Sequence, residues 1–139
     1  MIDPIEAVFA WLRADGSLAS LVGARLASKH QYGTAWAQGQ PSLVLRASPG
    51  QPDADAPLQP IRLEANCYGR TPTEAVAVWM ELVRISRGTH RERVSTTRGD
   101  ALVHALVQAS SPSLVYDPEV GMDVCLSFFT TIVGEDTVN

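Results

Sequence analysis

Residues 60–88 read PIRLEANCYGRTPTEAVAVWMELVRISRG, and this stretch decides the fold class. Its first half alternates, and the apolar side of the alternation is formed by Ile61, Leu63, Ala65 and Cys67. A period of two predicts a strand with one buried face. Its second half has helical spacing, with an apolar stripe formed by Ala75, Val78, Trp79, Leu82 and Ile85. Because each element has one apolar face, the two need a shared core, which predicts an α+β domain.

The residues between the strand and the helix have the pattern of a helix start. The Thr71 hydroxyl can accept a hydrogen bond from an exposed backbone N–H, and Pro72 suits the first helical position. Glu74 can reach back and complete a capping box. Gly88 tolerates the left-handed conformation that ends many helices. The sequence therefore predicts one continuous helix directly after the strand.

The rest of the chain adds two helices and three main strands. A capping box at Asp3 and Glu6 predicts a helix to about Ala14, and Ser17 and Gly23 bracket a second, short helix. Further strands are expected at residues 42–47, 101–110 and 121–133, with a short one at 25–29. The last strand is expected to place a set of apolar residues on one face: Met122, Val124, Leu126, Phe128 and Ile132. Residues 101–110 also suit a helix, but the turn residues that bracket them favour a strand.

The expected architecture is α+β: an antiparallel sheet of about four strands, with the N-terminal and central helices packed on one face. Residues 31–40 and 48–60 are predicted loops, residues 89–100 a polar flexible segment, and residues 134–139 a frayed tail. At 139 residues and 45% hydrophobic composition, residues 1–139 are expected to form a single domain. No apolar run approaches the ~20 residues that span a bilayer, and nothing indicates export.

The search for catalytic chemistry predicts a protein that is not an enzyme and has no cofactor or metal. His30, His90 and His104 lack metal-ligand spacing, and no phosphate-binding loop or nucleophile elbow is present. Asp53 and Asp55 alone rarely suffice for a cation. Two cysteines, Cys67 and Cys125, are expected to be buried free thiols. Trp79 and Phe128 are predicted core residues, whereas Trp11 and Trp36 are open to an interface role.

The charged residues are segregated along the chain. A basic segment contains Arg84, Arg87, Arg91, Arg93 and Arg98. Six acids follow it without any Lys or Arg: Asp100, Asp117, Glu119, Asp123, Glu135 and Asp136. A merely solvated surface is the simpler interpretation. The functional interpretation is that the arginines of one subunit meet acids of another, which makes the subunit-interface candidates Arg84, Arg87, Arg91, Arg93, Arg98, Asp117, Glu119 and Asp123.

Four segments together resemble the tail-completion or tail-terminator proteins of long-tailed bacteriophages. They are residues 11–26 (WLRADGSLASLVGARL), 40–45 (QPSLVL), 63–75 (LEANCYGRTPTEA) and the last strand, 121–133. They occur in the family's order and cover nearly the whole chain. The chain departs from the family pattern in the proline-rich residues 48–60 and at Tyr68-Gly69, where relatives often have a bulkier aromatic strand end.

The resemblance implies a structural virion protein without catalytic activity. Such proteins form a ring, typically of six subunits, that terminates the tail tube and joins it to the head connector. The implied partners are further copies of the chain, the tail tube protein and the connector (stopper) protein, and DNA passes through the lumen without sequence-specific binding. The implied location is the tail or neck of the virion, and the host cytoplasm during assembly. Two alternatives stay open: a neck component on the portal side, and a small ligand-binding domain. The net charge of −4 argues against a nucleic-acid binder.

Overall fold

The computed structural model describes residues 4–28, 40–47, 58–88 and 92–135. These ranges contain three helices: α1 (Pro4–Arg13), α2 (Gly16–Val22) and α3 (Pro72–Gly88). They also contain seven strands: β1 (Leu26–Ala27), β2 (Ser42–Ala47), β3 (Leu58–Gly69), β4 (Glu92–Thr96), β5 (Gly99–Gln108), β6 (Ser113–Asp117) and β7 (Met122–Glu135). Within them, no helix combines the length and the apolar character needed to cross a membrane.

Several predictions concern residues outside the described ranges. The loop predictions for residues 31–40 and 48–60 and the frayed-tail prediction for residues 134–139 fall largely outside them. Within the described ranges, residues 58–60 belong to a strand that begins at Leu58, and residues 134–135 to one that ends at Glu135, so the loop and tail predictions were wrong there. The residues singled out above that lie outside the described ranges are Asp3, His30, Trp36, Asp53, Asp55, His90, Arg91 and Asp136. The predictions made for these residues and for the segments outside the described ranges stay predictions.

The seven strands form one mixed sheet in the order β1-β2-β3-β7-β5-β4, and β6 pairs with β7. Strand β1 runs parallel to β2, and the other pairs are antiparallel. The 14-residue strand β7 is the centre: β3 lines one edge, while β5 and β6 share the other. The prediction of an antiparallel sheet of about four strands with helices packed on one face was therefore wrong. The missed strands β4 and β6 lie at sheet edges with mostly exposed side chains, so they lack the alternation that marks a half-buried strand.

Strand β4 falls within the segment predicted to be flexible, residues 89–100. It pairs with β5 through a tight turn at Thr97 and Arg98, and Gly99 adopts a positive φ of 127°. Two long-range contacts hold it. The indole Nε1 of Trp11 donates to Glu92 Oε2 at 2.9 Å, and the Glu6 carboxylate accepts hydrogen bonds from the backbone N (2.7 Å) and the Oγ1 (2.9 Å) of Thr97. Tertiary contacts with α1 therefore stabilise residues 92–96 as a strand. Trp11, which was open to an interface role, is buried in its own chain.

The central strand–helix unit agrees with its prediction. The alternating residues of β3 and the apolar stripe of α3 share one core with residues of α1 and α2. The Thr71 Oγ1 accepts from the backbone N of Glu74 at 3.2 Å, and the Glu74 carboxylate accepts from the backbone N of Arg70 at 2.9 Å. Trp79 is half-buried and packs against this core rather than lying inside it. The second helix is capped by Asp15, not by the expected Ser17.

Strand β7 is apolar on both faces. The five residues predicted to share one face do so, but that face is not the one that meets the helices. Cys125, Phe129 and Val133 lie in the core shared with the helices. The predicted residues alternate with these and face the other side of the sheet. There a smaller cluster forms from Val44, Tyr68, Val120, Met122 and Val124. Phe128 is half-buried on that side, with the guanidinium of Arg62 4.5 Å from its ring centroid.

Candidate assembly surface

An exposed apolar surface surrounds β6 and the outer side of α3. Its large hydrophobic side chains and their exposed fractions are Met80 (60%), Leu114 (55%), Val115 (50%) and Tyr116 (62%). Between the two elements lies an open, mainly apolar groove of about 400 Å³, lined by Pro72, Thr73, Val76, Ala77, Met80 and Leu114. These residues, together with Val115 and Tyr116, are called the β6–α3 surface below. Scattered exposed hydrophobic residues are ordinary, but a contiguous patch of them is typical of an interaction site.

Strand β6 is held at the sheet edge by Ser110. Next to the end of β5, the Ser110 Oγ accepts from the backbone N of Phe128 at 2.9 Å, and its carbonyl oxygen accepts from Ser127 Oγ at 3.1 Å. Ser110 therefore lies where the pairing partner of this edge of β7 changes from β5 to β6. In register, Leu114 lies opposite Cys125 on the helix side, and Val115 lies opposite Val124 on the other side. Strand β6 thus exposes apolar side chains on both faces of the sheet.

The second edge of β6 has no strand partner in the described part of the chain. Natural edge strands are usually protected by charged side chains, by proline or by a covering loop, because an open edge is a template for another strand. From Ser113 to Tyr116, β6 carries no charge and no proline. This edge is therefore chemically suited to pairing with a strand from another chain.

Three of the predicted interface acids lie together beside this surface. Asp117 ends β6, and its Oδ1 accepts from the backbone N of Glu119 at 3.0 Å. The backbone N of Gly121, at a positive φ of 71°, donates to the Asp117 carbonyl oxygen at 2.8 Å. Asp123 lies across from Tyr116 in the register of β6 and β7. The structure thus gathers Asp117, Glu119 and Asp123 into one acidic turn.

Two of the predicted interface arginines, Arg93 and Arg98, lie toward the opposite end of β7. Arg93 pairs with Leu102, which pairs with Gly134, whereas the acidic turn meets β7 at Asp123. Gly134 lies eleven positions after Asp123, which is about 36 Å at a typical strand rise of ~3.3 Å per residue. Arg98 is exposed in the turn between β4 and β5, and Arg87 is exposed near the end of α3.

The basic end also contains acids and internal ion pairs. Arg84 is engaged within its own chain, 2.6 Å from Asp15 and 2.8 Å from Glu81. Asp100 lies in the same hairpin as Arg98, and its Oδ1 accepts from Ser95 Oγ at 3.2 Å. The basic and acidic residues that are segregated in the sequence are therefore also separated in space. At the basic end, however, nearby acids balance part of the positive charge. Contact between these arginines and acids of another subunit stays a prediction.

A polar cleft of about 340 Å³ lies where α1, α2, α3 and β4 converge. Its lining includes Trp11, Asp15, Arg84 and Glu92. These groups already bind one another, through the Trp11–Glu92 hydrogen bond and the Arg84–Asp15 ion pair. A ligand would have to displace those internal contacts, which makes the cleft a poor ligand site. Within the described ranges, no group of three or more His, Cys, Asp or Glu side chains is placed to hold a metal ion.

The two cysteines face each other across β3 and β7 inside the core. Cys67 and Cys125 are register partners, and both are buried free thiols. Burial raises the pKa of the Cys67 thiol well above its usual range, and the neighbouring Cys125 raises it further. Burial also raises the pKa of Cys125. Because the thiolate is the reactive form, neither cysteine is poised as a nucleophile.

The β6–α3 surface was missed in the sequence. The run Leu114-Val115-Tyr116 is rich in residues that favour strands, and it lies between Pro112 and the Asp117-Pro118 turn. This signal could have indicated the short strand β6, which was not among those predicted, but not that both of its faces stay exposed. Exposure depends on what covers the strand, and that is decided by the position of α3 and by the bend at Ser110.

No protein-family model and no curated protein sequence matches this chain. Among solved structures, the chain is similar to a chain of the virion of the native gene transfer agent (GTA) particle. The two share 16% sequence identity and superpose with a TM-score of 0.58, and the match covers 92% of each chain. At this level of identity the similarity is one of fold.

Proposed function

We propose that this chain is a structural protein of a phage-like virion. In this proposal it forms a ring that terminates the tail tube and joins it to the head connector. The observation that carries the proposal is the fold shared with a chain of the GTA virion over 92% of both chains, which is more than a common motif. The four sequence segments that resemble tail-terminator proteins support the same function independently, because they were identified from the sequence alone.

The surface of the protein supports an assembly role. A cyclic ring needs two different patches on each subunit, one for each neighbour. The β6–α3 surface offers an apolar patch with an open strand edge, and the charged ends of β7 offer patches of opposite character. We further propose that arginines of the basic end, including Arg87, Arg93 and Arg98, lie near Asp117, Glu119 and Asp123 of a neighbouring subunit.

A non-enzymatic role is part of the proposal. The polar groups of the one polar cleft described above are bound to one another, and the buried thiols are held in their neutral form by their raised pKa. These features support assembly over catalysis, because a catalytic group must be free to act on a substrate.

The proposal is tested by tube capping. The tail tube protein of the virion to which the chain is proposed to belong is polymerised alone, with the native chain, or with the heat-unfolded chain as a control. Tubes grown with the native chain should be shorter and should carry a ring at one end in negative-stain images. Tubes of unrestricted length with bare ends in all three samples would contradict the proposal.

A further inference from the structure

We infer that the β6–α3 surface is where a second copy of this chain docks. The inference rests on the proposed ring and names one of the two patches from which the ring would be built. It depends on three observations: where the exposed hydrophobic residues lie, the edge of β6 that no described strand covers, and the position of the acidic turn.

The first observation is the distribution of large exposed hydrophobic side chains. In the described ranges there are five of them, and four belong to this surface: Met80, Leu114, Val115 and Tyr116. The fifth, Val107, lies on β5 opposite Thr130. It shares the face of Val115 but lies six positions along β7 from Val124, the register partner of Val115. Such a concentration is typical of a protein–protein contact, whose centre is depleted in charge and rich in aromatic residues and methionine.

The second observation is the shape of the surface. A strand placed against the open edge of β6 would extend the sheet and send alternate side chains to its two faces. On the helix side, such a side chain would enter the groove between Met80 and Leu114. On the other side it would cover Val115. An added strand therefore buries the apolar side chains of β6 on both faces at once.

The third observation identifies the occupant as a copy of this chain. The acidic turn formed by Asp117, Glu119 and Asp123 adjoins the surface, so a partner with exposed cations beside an apolar segment fits it. The chain itself carries exposed arginines: Arg98 lies about the length of β7 away from that turn, and Arg87 lies in the last turn of α3. Two copies joined through the same surface would bring two acidic turns together and repel. The contact therefore joins different patches of the two copies, as a ring requires.

The test introduces a charge into the surface at two independent positions. Leu114→Glu lies on β6 and Met80→Glu lies on α3; both side chains are more than half exposed, so the isolated subunit should fold normally. Val107→Glu is the matched control because it is equally exposed, at 55%, but lies on β5, facing away from the groove and about 20 Å along the sheet from Val115 at a strand rise of ~3.3 Å per residue. Light scattering after gel filtration measures the mass of each variant, and circular dichroism checks folding.

The expected result is that wild type and Val107→Glu form rings, while Leu114→Glu and Met80→Glu are folded monomers at concentrations at least tenfold above those at which wild type assembles. If both surface variants form rings like wild type, the inference is overturned and the ring proposal stands. Rings that persist but no longer bind the tube protein would assign the surface to that protein and also overturn the inference. A wild type that is monomeric at every concentration would overturn the ring itself.

Discussion

Replacing Gly69 with alanine tests the close approach of β3 and α3 on which the fold depends. Gly69 is buried at the end of β3, and a Cβ there would fall on the backbone N of Ala75 and within 2.7 Å of the backbone C of Glu74. The φ of Gly69 is not positive, so alanine is disfavoured there by lack of space and not by backbone conformation. The obstructing atoms are mainly backbone, in a helix turn already tied to Thr71 and Arg70 by hydrogen bonds.

Because that turn cannot yield easily, the cost should lie at the upper end of the 1–3 kcal/mol typical of overpacking, about 3 kcal/mol. For a domain of this size that corresponds to a fall in Tm of roughly 10 °C. Urea unfolding followed by circular dichroism measures the change in free energy at a single protein concentration, since assembly would add stability.

Gly16→Ala is the matched control for this substitution. Gly16 begins α2, is exposed, and has nothing within 4 Å of an added Cβ. Alanine there should stabilise the protein by about 0.5–1 kcal/mol through its better helix propensity. If Gly69→Ala unfolds at the same urea concentration as wild type, the strand and helix are not packed as described.

Three further predictions concern stability and assembly. Trp79→Ala should cost about 2–3 kcal/mol of unfolding free energy. This is less than for a fully buried aromatic, because Trp79 is half-buried and its Nε1 has no hydrogen-bond partner among the described residues. Trp79→Phe should therefore change the urea midpoint little. Rings should weaken as salt is raised, and should dissociate in light scattering when three arginines are changed to glutamate together: Arg91, Arg93 and Arg98. Rings of unchanged stability in both experiments would show that charge does not contribute to ring stability. The thiols of Cys67 and Cys125 have raised pKa values in the folded protein, so unfolding releases protons above about pH 8.5. The free energy of unfolding should therefore fall as the pH rises past that value. The fall should be smaller in Cys67→Ala, which lacks one of the two thiols.

The central unit of the fold could be predicted because its signals are local. The alternation from Ile61 to Cys67 and the capping residues Thr71 and Glu74 each act within a few positions, and the structure places them as expected. Strand β4 could not be predicted in this way. The contact that holds it, between Trp11 and Glu92, joins residues 81 positions apart, and no local pattern encodes such a pairing.

The orientation of β7 was unpredictable for a different reason. Phe128 and Phe129 are adjacent and point to opposite faces, and apolar residues continue on both sides of the strand. A central strand that is covered on both faces loses the polar alternation that would show which face meets the helices. The assembly surface was equally hidden, because the exposure of Leu114 and Met80 is a property of tertiary packing. The acidic turn, by contrast, follows directly from the short spacing of its three residues.

The most direct test of the central claim is the mass of the purified wild-type protein in solution. Light scattering across a wide range of concentrations, together with negative-stain imaging of the same fractions, measures whether it assembles and in what form. The proposal predicts a closed ring of several subunits, with a central opening, at micromolar concentrations. A single species of 15.0 kDa at every concentration, with no rings in the images, would contradict it.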